Sequence, residues 1–176
     1  MIQFKVLTIH ELSPTLLTTF NRYQETNYVC FKANDQFIIK ADYFVEHWDD
    51  EKKYQVILEL QNCVQANGTV TGAFSDRKLI GFANVEGELF GNNKEYLELP
   101  YIHVSNEYRN SGIGKKLFQI CCEKAKQMGA KKLYIAAHPS VETQHFYKAV
   151  GCTHALEINQ KILNKEPLDI QLEKVL

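Results

Sequence analysis

An apolar extended run, Leu97 to Val104, passes through the polar turn Ser105-Asn106-Glu107-Tyr108-Arg109-Asn110-Ser111 into a helical pattern that opens Gly112-Ile113-Gly114-Lys115. No other feature constrains the chain as much, because strand, tight turn and helix in that order fix an α/β unit with a bare helix N-terminus. The first N–H groups of a helix have no intrahelical partner, and glycines at 112 and 114 leave that stretch uncovered. Such a turn can wrap an anion, since several N–H donors and the positive end of the helix dipole converge there. Arg109 and Lys115 add full charges to those partial ones. The pattern reads as an anion cradle; the plainer alternative is a glycine-softened helix start with no ligand.

Two familiar phosphate loops do not fit. A Walker loop needs four residues between its first glycine and Gly-Lys, whereas only Ile113 separates Gly112 from Gly114. The dinucleotide fingerprint needs a third glycine where this chain has Leu117. The segment Arg109-Asn110-Ser111-Gly112-Ile113-Gly114 does match Arg/Gln-x-x-Gly-x-Gly/Ala at a strand-to-helix junction. It therefore resembles the acetyl-CoA pyrophosphate loop of the GNAT N-acyltransferase superfamily.

Size and composition agree with one packed domain. At 176 residues and 20.3 kDa the chain suits a single core. No apolar run approaches the roughly 18–20 residues of a membrane span, and the N-terminus lacks a secretory pattern. A cytoplasmic protein with no membrane partner is expected. The five cysteines (30, 63, 121, 122, 152) form no Cys-x-x-Cys pair, and the histidines show no His-x-x-x-His spacing, so no metal site is expected. Residues 1–100 carry 9 Lys/Arg against 14 Asp/Glu, while residues 101–176 carry 11 against 7. The basic half holds the cradle, as a polyanionic cofactor favours, and the acidic half suits a cationic acceptor; solvated faces that happen to differ explain it as well. Basic residues are not clustered with aromatics, so nucleic acid is not an expected partner.

Along the chain, Phe4–Thr8 reads as a first strand and Ser13-Pro14 as the start of a helix through Phe20. Residues 21–40 read as irregular, with a short strand at 37–40. A helix is predicted from Asp49 or Asp50 to Gln65, then strands over 69–74, 79–86 and 96–104. Helix 112–128 buries one stripe, Ile113, Leu117, Ile120, Cys121 and Ala125, and Gly129 ends it. Strand 132–136, a helix from Ser140 to Val150 and a last strand over 170–176 complete the order. That order also resembles GNAT proteins. It implies a mixed α/β (α+β) fold with a largely antiparallel sheet of about 6–7 strands flanked by about four helices, residues 1–66 forming the acceptor side and 79–152 the acetyl-CoA core.

A second motif supports the resemblance. Ser140-Val-Glu-Thr143-Gln-His-Phe146-Tyr147-Lys-Ala-Val-Gly151-Cys152 is similar to the superfamily pattern Asn-x-x-Ala-x-x-Leu/Phe-Tyr-x-x-x-Gly-Phe. Ser140 stands in the Asn place and Cys152 in that of a bulky aromatic. The resemblance implies an N-acetyltransferase that moves an acetyl group from acetyl-CoA to a primary amine, on a small molecule or a peptide, by direct attack in a ternary complex. A non-catalytic acyl-CoA-binding module of the same fold is the alternative. The chemistry needs a base for the ammonium of an amine with pKa about 10 and an acid for a thiolate whose thiol has pKa about 8.5. Tyr147 stands at the family's acid position. Glu98 is the first candidate base, with Glu86 and His138 behind it. Ile102, His103 and Val104 are expected to run beside the pantetheine arm. Arg109, Asn110, Ser111, Gly112, Ile113, Gly114 and Lys115 are expected around the phosphates and His138 near the thioester, with Ser140, Thr143 and Phe146 also expected to bind the cofactor. The resemblance also allows a homodimer and leaves the acceptor unnamed.

Overall fold

The computed structural model describes residues 1–176. Two four-stranded sheets meet along one strand that breaks in the middle. Strands β1 (Gln3–Val6), β4 (Thr69–Ser75), β5 (Lys78–Val85) and β7 (Ile102–Val104) form the first, antiparallel throughout. Strands β6 (Tyr96–Glu98), β8 (Lys132–Ala137), β10 (Ile170–Val175) and β9 (Thr153–His154) form the second, with β6 parallel to β8 and the other pairs antiparallel. Helix α1 (Asp50–Gln65) packs on one face of β4 and β5, and α2 (Ile113–Gln127) on the other. Helices α3 (Val141–Ala149) and α4 (Gln160–Lys165) complete the order, and strands β2 (Tyr23–Ala33) and β3 (Gln36–His47) form a separate hairpin.

Local chemistry explains most of these elements. Asp49 caps α1 by accepting from the Lys52 amide at 2.8 Å. Asp76 and Arg77 both take positive φ in the two-residue turn between β4 and β5, as the right-handed twist of a hairpin demands. The α2 face carries the larger core, in which Leu97, Leu117, Ala125 and Leu133 are fully buried. A second core under α1 holds Leu12, Leu17, Phe20, Ile57 and Phe82.

Three expectations are corrected. Residues 9–20 are not a helix. They form successive tight turns, with the amides of Leu16, Thr18 and Phe20 bonded three residues back. Leu12, Leu17 and Phe20 are nevertheless all fully buried, carried inward by the turns themselves. Residues 21–40 are not irregular. They belong to the long β2–β3 hairpin, turned at Asn34-Asp35 with both residues at positive φ. The stretch 96–104 is not one strand. It divides into β6 and β7 at Pro100, which has no N–H for a ladder.

That division determines everything downstream. The amides of Asn84 and Glu86, two residues apart, bond the carbonyls of Tyr101 and Glu98, three residues apart. One extra residue is absorbed between them, which is a β-bulge. Before the bulge the strand pairs with β8; after it, β7 stays on β5 and leaves β8 unpartnered on that side. The two sheets splay apart from this point.

Candidate active site

The splay opens a cleft of about 1560 Å³. Its walls are two strand edges. The Leu99 amide donates to the Tyr134 carbonyl at 3.0 Å, the last rung between the sheets. On β7, Asn84 and Ile80 bond Tyr101 and Ser105, so the antiparallel alternation turns the main-chain groups of Ile102 and Val104 toward the opening. Across the gap, Ala136 lies two residues past Tyr134 and presents its main chain to the same space. An extended chain with amide groups can enter such a gap as an added strand.

The floor of the cleft is the N-terminus of α2. Asn110 (φ 60) and Gly112 (φ 81) both lie in the left-handed region, alternating with Ser111. Alternation of this kind curls successive N–H groups into a nest for an anion. A Cβ on Gly112 would meet nothing within 4 Å, so the space above it is open. Gly114 differs: a Cβ there would lie 3.3 Å from the Phe146 ring, so this glycine lets α2 approach α3 closely. Arg109 is half-buried, its Nε donating to the Val104 carbonyl at 3.2 Å, which ties the cradle to the open strand. Burial lowers its pKa, with Glu107 opposing, so it stays a cation beside the nest.

Tyr147 projects from α3 into this cleft, 5% exposed, with no hydrogen bond to its hydroxyl from the protein. Burial pushes the phenol far above its ordinary range, with smaller contributions from Cys152, Cys121 and Asp169. It is therefore protonated at neutral pH and ready to donate. Phe118 and Phe146 hold its ring edge-on at 6.2 and 5.2 Å.

On the other side of the opening stand the carboxylates. Glu98 ends β6 and Glu86 follows β5, and the Glu86 amide donates to the Glu98 carbonyl at 2.9 Å. Burial raises the pKa of Glu98; Glu86 raises it further, while Lys165 and Lys161 pull it down. Glu86 is raised chiefly by burial as well, against the Asn84 amide that donates to it at 3.0 Å. Two carboxylates made more basic than usual thus face one cleft.

His138 is held differently. Its Nδ1 accepts from the Ser140 amide at 3.1 Å, so the proton sits on Nε2, which lies 3.1 Å from Glu46 Oε2 without the alignment of a hydrogen bond. With Nδ1 accepting and the proton on Nε2, the ring has no free lone pair for a substrate proton. His103 lies 4.9 Å from Trp48, and burial among Arg22 and Arg109 drives its pKa well down. It is a neutral, weakly basic ring.

Of the residues singled out from sequence, the cleft gathers Tyr147, Glu98, Glu86, Ile102, His103, Val104, Arg109, Asn110, Gly112, Ile113, Gly114, Lys115, His138, Thr143 and Phe146. Two lie outside its lining. The Ser111 hydroxyl donates to the Tyr108 carbonyl. Ser140 is fully buried; its hydroxyl caps the Thr143 amide and donates to the Thr143 hydroxyl at 2.8 Å. Its shortness, compared with Asn, keeps it in the cap.

The family profile of the acetyltransferase (GNAT) family matches residues 33–152. The chain belongs to the GNAT acetyltransferase family. No curated protein matches its sequence closely enough to count as a relative. Solved structures agree in fold. A nourseothricin acetyltransferase superposes with TM-score 0.70 at 16% identity, covering 99% of this chain and 98% of that one. The PaiA N-acetyltransferase of Thermoplasma acidophilum, solved with coenzyme A, gives 0.60 at 17% identity over 100% and 99% of the two chains. A GNAT acetyltransferase of Elizabethkingia anophelis with acetyl-CoA bound gives 0.59 at 18% identity over 99% and 98%. As a GNAT acetyltransferase this protein takes its acyl group from acetyl-CoA. The splayed strands, the open space at Gly112 and the paired cations Arg109 and Lys115 suit that donor in length and charge. No group of His, Cys, Asp and Glu is placed to hold a metal ion, and no helix is long and apolar enough to cross a membrane.

The sequence reading missed the β2–β3 hairpin as a wall of the site. The Asn21 amide donates to Ser105 Oγ at 2.9 Å, at the end of β7, and the Cys30 amide donates to the Pro139 carbonyl at 2.8 Å, past the end of β8. The hairpin therefore spans the two splayed strands. Asn34-Asp35 between aromatic and β-branched residues was the available signal.

Proposed function

We propose that the protein N-acetylates a primary amine by direct attack on the thioester of acetyl-CoA. The observation that carries this reading is the convergence of a phosphate nest, two free strand edges, a protonated tyrosine and two basic-shifted carboxylates on one cleft. The nest at Asn110–Gly112, with Arg109 and Lys115, binds the pyrophosphate, and the main chain of Ile102, Val104 and Ala136 pairs with the pantetheine amides. His103 turns its main chain to Phe82 of β5 and sets its ring beside Trp48 on the acceptor side, and Thr143 and Phe146 close the cleft on the α3 side.

The bond changes balance as follows. The amine nitrogen bonds to the thioester carbon, and the C–S bond breaks. Glu98 receives the proton the nitrogen sheds, with Glu86 raising its basicity. Tyr147 donates its hydroxyl proton toward the departing sulfur and recovers one from solvent after release. The raised pKa keeps Tyr147 protonated until charge develops on the sulfur beside it, and the proton it lends is returned from solvent. No cysteine enters: burial pushes the Cys63 and Cys152 thiols up to about 12, far from thiolate at neutral pH. Five free cysteines fit work in the reducing cytoplasm.

The test is thiol release from acetyl-CoA across a panel of amines, with mass spectrometry of the products. An N-acetylated amine is expected. Acetyl-CoA bound but never consumed would mark the chain as a binding module instead.

A further inference from the structure

Arg22, just before β2, is 5% exposed and lines the cleft. Its Nε and Nη1 have no hydrogen-bond acceptor in the protein. No carboxylate forms an ion pair with it; the acid that it senses, Glu46, has its Oε2 3.1 Å from His138 Nε2 but likewise without a hydrogen-bond partner. The guanidinium lies over the Trp48 ring at 5.6 Å, and the Arg22 carbonyl accepts from the Trp48 amide, so both stem and head are held in place. Its position follows from the neighbouring Asn21, which is bonded to Ser105 and Asn106 at the end of β7. Burial lowers its pKa to about 10, which still leaves it charged at neutral pH.

A buried cation with unmet donors is unfavourable unless something brings it an acceptor. Apart from Glu46, the carboxylates of this cleft that act on one another lie toward the bulge: Glu59, whose carboxylate accepts from the Tyr101 hydroxyl at 2.5 Å, with Glu166, Glu86 and Glu98. The acceptor side is thus dipolar, with a fixed guanidinium at the β7 end and carboxylates at the bulge end. We propose that the acceptor is an amine that also carries a carboxylate, bound by the Arg22 fork while its amino group lies among the glutamates. The planar fork matches a carboxylate in two parallel hydrogen bonds. This inference rests on the acetyltransferase reading above and adds the class of acceptor. Arg22 is a specificity residue that does not take part in bond making.

The test compares amino acids with their decarboxylated amines as acceptors, for example lysine against 1,5-diaminopentane and phenylalanine against phenethylamine. Wild-type protein is expected to favour the acid-bearing member by about 10- to 100-fold in kcat/KM, the range set by hydrogen bonds to a charged group. Arg22→Gln should erase that preference through the acceptor KM while the acetyl-CoA KM stays unchanged. Equal use of both members by the wild type overturns the proposal and leaves the acetyltransferase reading intact. A rise in the acetyl-CoA KM instead would assign Arg22 to the donor and also overturn it. Arg22→Met, which keeps the packed stem, supplies a readout independent of any acceptor. Its thermal midpoint should be unchanged or raised, because an unpartnered buried charge is removed, and a lowered midpoint would make Arg22 a structural residue. Absence of transfer to every amine, with acetyl-CoA still bound, would refute the acetyltransferase reading and this inference together.

Discussion

The Leu99 amide bonds the Tyr134 carbonyl at 3.0 Å, and the next residue, Pro100, has no amide to offer. Those two residues stand where one continuous sheet becomes two, and beyond them Ile102 and Val104 of β7 turn their main-chain groups to the cleft. A bulge and a proline at one position thus convert strand pairing, a matter of folding, into a binding surface.

Gly112 tests the cradle. Any side chain there is strained at φ 81, which costs about 1–2 kcal/mol, but the space for its Cβ is otherwise empty. Gly112→Val should therefore fold with a modest loss of stability and lose CoA affinity by more than tenfold, measured by titration calorimetry. Unchanged affinity would place the phosphates elsewhere.

The two carboxylates predict a pH signature. Because burial raises both pKa values, with Glu86 raising Glu98 further and Glu59 raising Glu86, the acid limb of turnover should lie above the ordinary carboxylate range, with activity lost as pH falls through it. Glu98→Gln should lower kcat by about 10²–10⁴-fold and remove that limb. Glu86→Gln should shift it to lower pH, since one neighbouring negative charge is gone. An identical profile in all three proteins would exclude Glu98 as the base.

Asp169 carries a stability signature instead. Burial raises its carboxyl from 3.8 to about 6. A raised acid holds its proton more tightly in the folded state, so this contribution is complete below the unfolded value and is lost as pH rises through about 6. Asp169→Asn removes the charge that burial penalises. Its thermal midpoint should exceed that of the wild type at pH 7.5 and match it near pH 4; a constant difference across that range would contradict the assignment.

Leu117 tests how the cradle is supported. It is fully buried, and a Cβ on Gly81 of β5 would lie 3.1 Å from its Cδ1, so α2 sits tightly on the sheet. Leu117→Ala should destabilise by about 2–5 kcal/mol in urea unfolding, with an unchanged m-value.

The elements that sequence reading recovered are those whose chemistry is local. Helix α2 has one apolar stripe and a glycine at each end, α1 has its Asp49 cap, and the turn at Asp76-Arg77 is flanked by alternating strands. The strand–turn–helix passage through Arg109 to Gly114 was legible for the same reason: its residues are consecutive. What escaped depends on partners far along the chain. Strand β3 is exposed along most of its length, so no buried-and-polar alternation marks it. The helix expected at Ser13-Pro14 has a good start signal, but the segment is a run of three-residue turns that packs Leu12, Leu17 and Phe20 into the α1 core. The split of 96–104 was announced only by Pro100, and its meaning lies in β5 and β8, which share its two sides. Arg22 carries no sequence signal at all; its burial comes from a hairpin folded across the site.

The most direct test of the acetyl-transfer site is the turnover of Tyr147→Phe beside its affinity for acetyl-CoA. The ring stays packed between Phe118 and Phe146, so the variant loses one hydroxyl and nothing else. If that hydroxyl protonates the leaving thiolate, kcat falls by about 10²-fold or more while the acetyl-CoA Kd is unchanged. Wild-type turnover in Tyr147→Phe would contradict the account.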